Sequence, residues 1–267
     1  MKSKSVLAWL SVIAVIVGVT PPARAGDELR LRVTYIDRAP YMYRSETGPV
    51  GVLFDRIDPV LRAVGVVPSY EPVPPSRILE LFRRQEPMHC SVGWFRTPER
   101  EAALWFSLPI YRNRPPVLVV NAAVADAVAA TGSVAVALTN PDWVVGVVER
   151  YSYGVTLDAI LAHAPARDIA VADTPALMRR VALGRNHIMI ADPEEVAALW
   201  GRVGIDAHRV RVIAFADMPE GNTRHLMCDR SIPHHIRDAI DAEIRLLDLG
   251  LHHLKAAPLV ARPANDG

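Results

Sequence analysis

The sequence predicts an α/β protein of two lobes, each a mainly parallel sheet flanked by helices. Three observations predict it. Short apolar runs alternate with stretches of helical spacing, the pattern of parallel strands joined by helical crossovers. The same alternation occurs twice, before and after Val119. Strand Val117-Leu-Val-Val120 has no turn signals, and Met218-Pro-Glu-Gly-Asn222 is a turn cluster, so the two can serve as outward and return crossings. Residues 26–119 and 222–267 then form a discontinuous first lobe, and 120–221 a continuous second one. The cleft between two such lobes is a usual place for a small ligand.

Leu31-Arg-Val-Thr-Tyr-Ile36 reads as the first strand, followed by a polar loop from Asp37 to Gly51. Phe54 to Val64 has helical spacing, and Gly65 supplies a stop. Ser69 to Val73 reads as an edge strand because Pro72 cannot donate to a ladder. Ser76 is expected to cap a helix reaching Arg84, and a strand ends at Gly93. In the second block, Val144 to Val148 is a strand and Gly154 to Ala162 a helix. Thr174-Pro175 opens a helix with a cap and a Pro at its first position, ending near Gly184. Ile188 to Ile190 is a buried strand, Pro193 to Trp200 a helix, and Val210 to Ala214 a strand. Ser231 is expected to cap a last helix with Ile236, Ile240, Ile244 and Leu247 on one face, closed by Gly250. The tail after Pro258 reads as loosely ordered.

Residues 1–25 read as a cleavable signal peptide: Lys2 and Lys4, an apolar run from Val6 to Val19, then Ala23-Arg24-Ala25 as the cleavage site. That run is too short for the roughly 30 Å of a bilayer core, and Pro21-Pro22 break it. No membrane insertion is expected after cleavage at Ala25, and the expected compartment is the periplasm. Cleavage takes the basic count from 30 to 27 against 29 acidic residues. Near-neutrality removes the electrostatic case for nucleic acid or an anionic membrane as partner. With 51% hydrophobic residues the chain can bury one large core or two modest ones. Cys90 and Cys228 both survive cleavage, in segments that read as strands. In an oxidising compartment a disulfide is the expected state, two buried thiols the alternative. The pairs His234-His235 and His252-His253 diverge by about 100° on a helix, and no metal site or cofactor is expected.

The richest stretch is Gly93-Trp94-Phe-Arg-Thr97-Pro-Glu-Arg100, a loop at a helix start just after an apolar strand. The Thr97 hydroxyl, free backbone N–H groups and the Arg100 fork can converge on one carboxylate. With Ala39-Pro-Tyr41, Gly51-Val-Leu-Phe-Asp55, Pro75-Ser-Arg77, Phe106-Ser-Leu-Pro-Ile-Tyr111 and Leu183-Gly-Arg185 through Asp192, the chain resembles the family 3 extracellular solute-binding proteins. These are periplasmic receptors that hand polar amino acids to ABC importers. The resemblance covers most of the mature chain and implies a type II clamshell closing around its ligand.

It also implies Arg100 as carboxylate clamp, Asp192 as ammonium partner, and Tyr41 and Trp94 as apolar walls. Arg77, Arg150 and Ser152 complete the expected ligand-binding set with Gly93 and Thr97. The plainer alternatives are a cap or a surface pair with Glu99 or Glu101 for Arg100, an N-cap for Asp192, packed rings for Tyr41 and Trp94, and a solvated Arg77. The chain departs from the family at Phe95, where a hydroxyl residue is common, at Arg150-Tyr-Ser-Tyr-Gly154, which replaces a Gly-Thr turn, and at His187, which replaces an Asp. Arg150, Arg77 and Arg96 would make the cleft more cationic, keeping a dicarboxylate or another anion open as ligand. The leading expectation is a monomeric, non-catalytic receptor for a small carboxylate-bearing solute, working with an ABC importer or a signalling partner. The alternatives are a cyclohexadienyl dehydratase-like enzyme with Glu99 or Asp192 as general acid, and a lobe pair serving only protein–protein contact.

Overall fold

The computed structural model describes residues 29–171, 173–200 and 203–248. The expected signal peptide at 1–25, Gly250, His252-His253 and the tail after Pro258 lie outside the described residues. In chain order the elements are β1 (Leu29–Tyr35), β2 (Tyr43–Ser45), β3 (Gly48–Val50), α1 (Phe54–Ala63), β4 (Val66–Pro72), α2 (Pro75–Arg83), β5 (His89–Trp94), α3 (Pro98–Ala103), β6 (Trp105–Phe106) and β7 (Tyr111–Arg112). Then follow β8 (Val117–Asn121), α4 (Ala125–Ala130), α5 (Val134–Thr139), β9 (Val145–Val148), α6 (Val155–Ala162), β10 (Arg167–Val171), α7 (Thr174–Ala182), β11 (Ile188–Ala191), α8 (Pro193–Trp200), β12 (Val210–Ile213), β13 (Thr223–Cys228) and α9 (His234–Asp248).

Two sheets carry the fold. The first has strand order β4-β1-β5-β13-β6, with β7 also on β13; the second has order β10-β9-β11-β8-β12. Strands β4, β1 and β5 run parallel, joined by α1 and α2, while β13 returns antiparallel to β5. Pro72 ends β4 at the sheet edge, where its missing donor costs nothing. Helix α1 presses Phe54, Ile57, Val60 and Leu61 into the first core, together with Leu31, Val33, Leu226, Ile240 and Ile244.

The second sheet is covered on both faces. Successive strand side chains point to opposite sides, so Leu118 and Val120 join the core under α5 and α6. Val117 and Val119 join the core under α7 and α8. This explains why these strands read as continuous apolar runs.

The crossing expected at residues 119–120 falls inside β8, all of which pairs within the second sheet. The chain changes sheets earlier, between β7 and β8, and returns between β12 and β13. The two connecting segments touch: the Asn113 N–H donates to the Asn222 carbonyl at 2.9 Å. Gly221 lies so close that an added Cβ would sit 1.7 Å from the Asn113 carbonyl oxygen. Cys90 and Cys228 face each other across β5 and β13, Cα atoms 4.0 Å apart, and form a disulfide.

Three expected caps are corrected. Pro74 and Pro75 open α2, leaving Ser76 inside the helix. Asp173, not Thr174, caps α7 by accepting from the Ala176 N–H at 2.7 Å. The Ser231 hydroxyl accepts from the Met88 N–H instead, tying the start of the α9 segment to the loop before β5. Leu247 is exposed, so the apolar face of α9 ends at Ile244. The polar loop after β1 contains the β2–β3 hairpin, whose three-residue strands are too short to show a period.

Candidate functional site

The loop from β5 into α3 forms one wall. Gly93 takes a positive φ of 89° and a Cβ there would collide with the Met42 side chain, so only glycine lets the strand turn here. Thr97 caps α3, its hydroxyl accepting from the Arg100 N–H at 3.3 Å. Pro98 fills the first helical position, which needs no donor. Arg100 then folds back over the loop. Its Nη1 donates to the Phe95 carbonyl at 3.1 Å, and its guanidinium lies 4.7 Å from the Trp94 ring centroid. The Trp94 indole is itself fixed, donating to the Ser91 hydroxyl at 2.7 Å. No carboxylate lies within ion-pair distance of Arg100 among the described residues. Burial lowers its pKa, with Asp158 and Glu99 opposing the shift from a distance.

Asp158 lies across the cleft in the first turn of α6. It accepts from the Ser152 hydroxyl at 2.5 Å and from the Tyr153 N–H at 2.8 Å, fixing the turn that enters the helix. Arg150, in the left-handed region at φ 65°, points away, exposed and loosely paired with Glu149 at 3.4 Å. The Tyr153 hydroxyl accepts from the Val148 N–H at 3.0 Å, so the turn is held from both ends.

The floor of the cleft is an ion-pair network across the lobes. Asp192 follows β11 and accepts from Arg224 Nη2 at 2.9 Å and from Arg38 Nη2 at 3.5 Å, all on one oxygen. Arg38 also grips Glu195 through two bonds, Nε to Oε1 at 2.7 Å and Nη2 to Oε2 at 2.5 Å. Arg114 pairs with Glu194 at 3.0 Å, and the Tyr41 hydroxyl donates to Glu194 at 3.4 Å. Arg224 is only 2% exposed, yet fully engaged. Its Nε donates to Asn113 Oδ1 at 2.8 Å and its Nη1 to the Gly93 carbonyl at 2.9 Å. The rings of Tyr41 and Phe95 lie 4.0 Å and 4.8 Å from its guanidinium carbon. Buried charges of this kind persist only when paired and hydrogen-bonded, and here each is. Burial, reinforced by the charge of Asp192, pushes the Tyr41 phenol well above its ordinary range.

Two cavities lie along the interlobe cleft. One, of about 530 Å³, is lined from one side by Arg38, Val73 and Pro75 and from the other by Tyr151, Pro175 and Leu199. The other, between Phe95, Ser152 and Asp192, has about 20 Å³, room for one water molecule.

The expected site residues are thus only partly brought together. Gly93, Trp94, Thr97 and Arg100 share one loop, with Ser152 on the facing turn; of the five only Ser152 lines either cavity, and Trp94, expected as an apolar wall, is instead packed in a core with Ile78, Phe82 and Phe106. Asp192 lies at the floor, but its bonded oxygen is taken by arginines. Tyr41 is fully buried and covers Arg224 instead of lining the cleft. Arg77 and Arg150 are exposed and line neither cavity, and Arg96 pairs with Glu101 at 3.1 Å, so none of these three adds charge to the cleft. His187 serves the second sheet, its Nδ1 accepting from the Val144 N–H at 2.8 Å. Sequence reasoning missed Arg38, Arg224, Glu194, Glu195 and Asn113. A usable signal existed for one of them: Arg224 lies in an apolar buried strand, and a charged residue in such a place needs a partner.

No family model matches the chain, and no curated protein matches it in sequence. Solved structures do match in fold. The chain is similar to an amino acid ABC transporter substrate-binding protein from Streptococcus pneumoniae bound to L-arginine, at 18% identity and TM-score 0.64 over 83% of this chain and 90% of that one. It is similar to the arginine-, lysine-, histidine-binding protein ArtJ from Geobacillus stearothermophilus, at 17% identity and TM-score 0.62 over 83% and 90%. An ancestral amino acid-binding protein, a precursor of cyclohexadienyl dehydratase, matches at 20% identity and TM-score 0.61 over 83% and 91%. The fold is therefore the two-lobed type II clamshell of such binding proteins.

Proposed function

We propose that the chain is an exported, non-catalytic receptor that closes its two lobes around a small carboxylate-bearing solute. The observation that carries this reading is Arg100: a partly desolvated cation, propped by Trp94 and the Phe95 carbonyl, with no carboxylate partner among the described residues. A guanidinium fork so placed binds a carboxylate with two parallel bonds, and closure strengthens them by excluding water. The solute's carboxylate sits between Arg100 and the entry turn of α6, with Ser152 and Thr97 nearby. In this reading the receptor works as a monomer in the periplasm, its signal peptide removed after Ala25, and delivers the solute to an ABC importer or a signalling partner.

Catalysis has less support. Glu99 is exposed on α3, and Asp192 accepts from two guanidiniums and donates to nothing. Neither is arranged as a general acid. The test is thermal stability of the mature protein against amino acids, dicarboxylates and cyclohexadienyl acids, with each compound recovered afterwards. A ligand at about a hundred times its Kd adds roughly 2.7 kcal/mol. Stabilisation that Arg100→Ala abolishes, with the compound intact, supports the receptor. Turnover of the compound, or no response to any of them, overturns it.

A further inference from the structure

We infer that the larger interlobe cavity is a second ligand site, independent of Arg100, which takes an organic monocation: an ammonium or guanidinium group on an apolar body. Its volume of about 530 Å³ lies in the usual range for small-molecule sites. Both lobes build it. Ile36, Val73 and Pro75 come from the first and Pro175, Leu199 and Val203 from the second, so much of the wall is apolar. Arg100 lines neither cavity, and Asp192 lines only the smaller one. Arg38 and Tyr151 line both and form the partition between them.

The charges on that wall set the sign of the occupant. Among the described residues Asp37, Asp173 and Glu195 line the cavity against Arg38 and Arg179, an excess of one negative charge. Arg38 and Glu195 satisfy each other through bonds of 2.7 and 2.5 Å. Asp37, exposed just after β1, accepts no hydrogen bond and pairs with no cation among the described residues. Asp173 gives one oxygen to the Ala176 N–H at 2.7 Å and keeps the other free. These two carboxylates stand on opposite lobes. Arg179, exposed on α7 one turn after Pro175, is the one unpaired cation facing them among the described residues. An anion entering here meets one arginine and two acids, whereas a monocation leaves the cavity neutral. Apolar walls focus the field of the acids, which would count for little on an open surface. A metal ion does not suit the place: no three His, Cys, Asp or Glu among the described residues are grouped to hold one. A cationic head on a hydrocarbon body uses the whole wall, its charge balanced by Asp37 and Asp173 and its body against Val73, Leu199 and Val203.

Titration calorimetry on the mature protein tests this with phenethylammonium and hexylammonium, alongside hydrocinnamate and heptanoate, which match them in body and oppose them in charge. At least one of the two ammonium ions is expected to bind the unaltered protein. Asp37→Asn combined with Asp173→Asn is expected to weaken that binding tenfold or more. Asparagine caps a helix as well as aspartate does, so α7 keeps its start. Asp37→Asn alone, at an exposed and unbonded position, is expected to weaken it severalfold and decides the matter if the double variant fails to fold. Any carboxylate binding is expected to be undiminished in both variants, because it belongs to Arg100. Binding of neither ammonium ion to the unaltered protein would overturn the second site, as would an ammonium affinity that neither variant lowers. Ammonium binding that behaves as expected, with no carboxylate bound to any of the proteins, would remove the Arg100 reading and leave this one standing.

Discussion

Arg38, at the start of the loop after β1, and Glu195, in the first turn of α8, hold the lobes together through two parallel bonds of 2.7 and 2.5 Å. Glu195 is 1% exposed. Burial alone would disfavour the Arg38 cation, but the adjacent Glu195 carboxylate outweighs it and raises the Arg38 pKa well above its ordinary value. Closure of the clamshell is thus written into protein–protein ion pairs as well as into any ligand contact.

Breaking that pair leaves a buried charge whose easiest relief is to part the lobes and rehydrate it. Glu195→Gln is expected to lower stability by about 3 kcal/mol and to increase the radius of gyration in solution scattering. Unchanged dimensions would show that the pair holds local structure without controlling closure.

The crossing segments leave no room for a side chain at Gly221, where an added Cβ would meet the Asn113 carbonyl. The obstacle is backbone, so no rotamer change relieves it. Gly221→Ala is expected to cost about 2 kcal/mol, a fall of roughly 4–8 °C in Tm for a chain this size. A Tm equal to that of the parent would contradict the close approach.

The disulfide joins residues separated by 138 positions, and β13 reaches its partner strand only after the chain has built the second sheet. Cross-linking so long a loop restricts the unfolded chain strongly. Replacing both cysteines by alanine is expected to cost about 2–5 kcal/mol, read from urea unfolding. Identical midpoints with and without reductant in the unaltered protein would count against a closed bond.

His89 is fully buried, stacked on Phe82 and bonded to the Thr34 hydroxyl at 2.9 Å. Burial, aided by the charge of Arg32, lowers its pKa from 6.5 to about 4. The folded state therefore holds this ring neutral while the unfolded chain takes up a proton below pH 6.5. Stability from this source is complete above that value and is lost as pH falls toward 4. His225 is depressed for the same reason, its Nδ1 donating to the Ser107 carbonyl. Between pH 7 and 5, His89 should account for a loss of about 2 kcal/mol. His89→Gln should lose correspondingly less over that interval, and an equal loss in both proteins would refute the assignment.

The wall of the site was legible because its logic is local. Gly93, Thr97, Pro98 and Arg100 lie within eight consecutive residues, and each has a role that backbone chemistry assigns at short range: a positive φ, a cap, a first helical position, a cation one turn on. The floor was not legible. Asp192 and Arg224 are 32 residues apart, and Arg38 and Glu195 are 157 apart. Nothing in a single strand or loop says which of many arginines will meet which acid. For the same reason Arg77 and Arg150 were expected in the cleft and are found exposed.

By itself the sequence determined the two-lobed α/β architecture, most strand and helix positions, the pairing partners available to two cysteines, and the anion-ready loop before α3. These follow from periodicity, caps and turn residues, which act over a few positions. Only the tertiary structure decided that the chain leaves the first sheet before Val117, that Tyr41 and Phe95 enclose Arg224, and that Asp192 pairs with Arg224. Long-range electrostatics made that last choice: a charge removed from water must find its counterion wherever the fold brings one near.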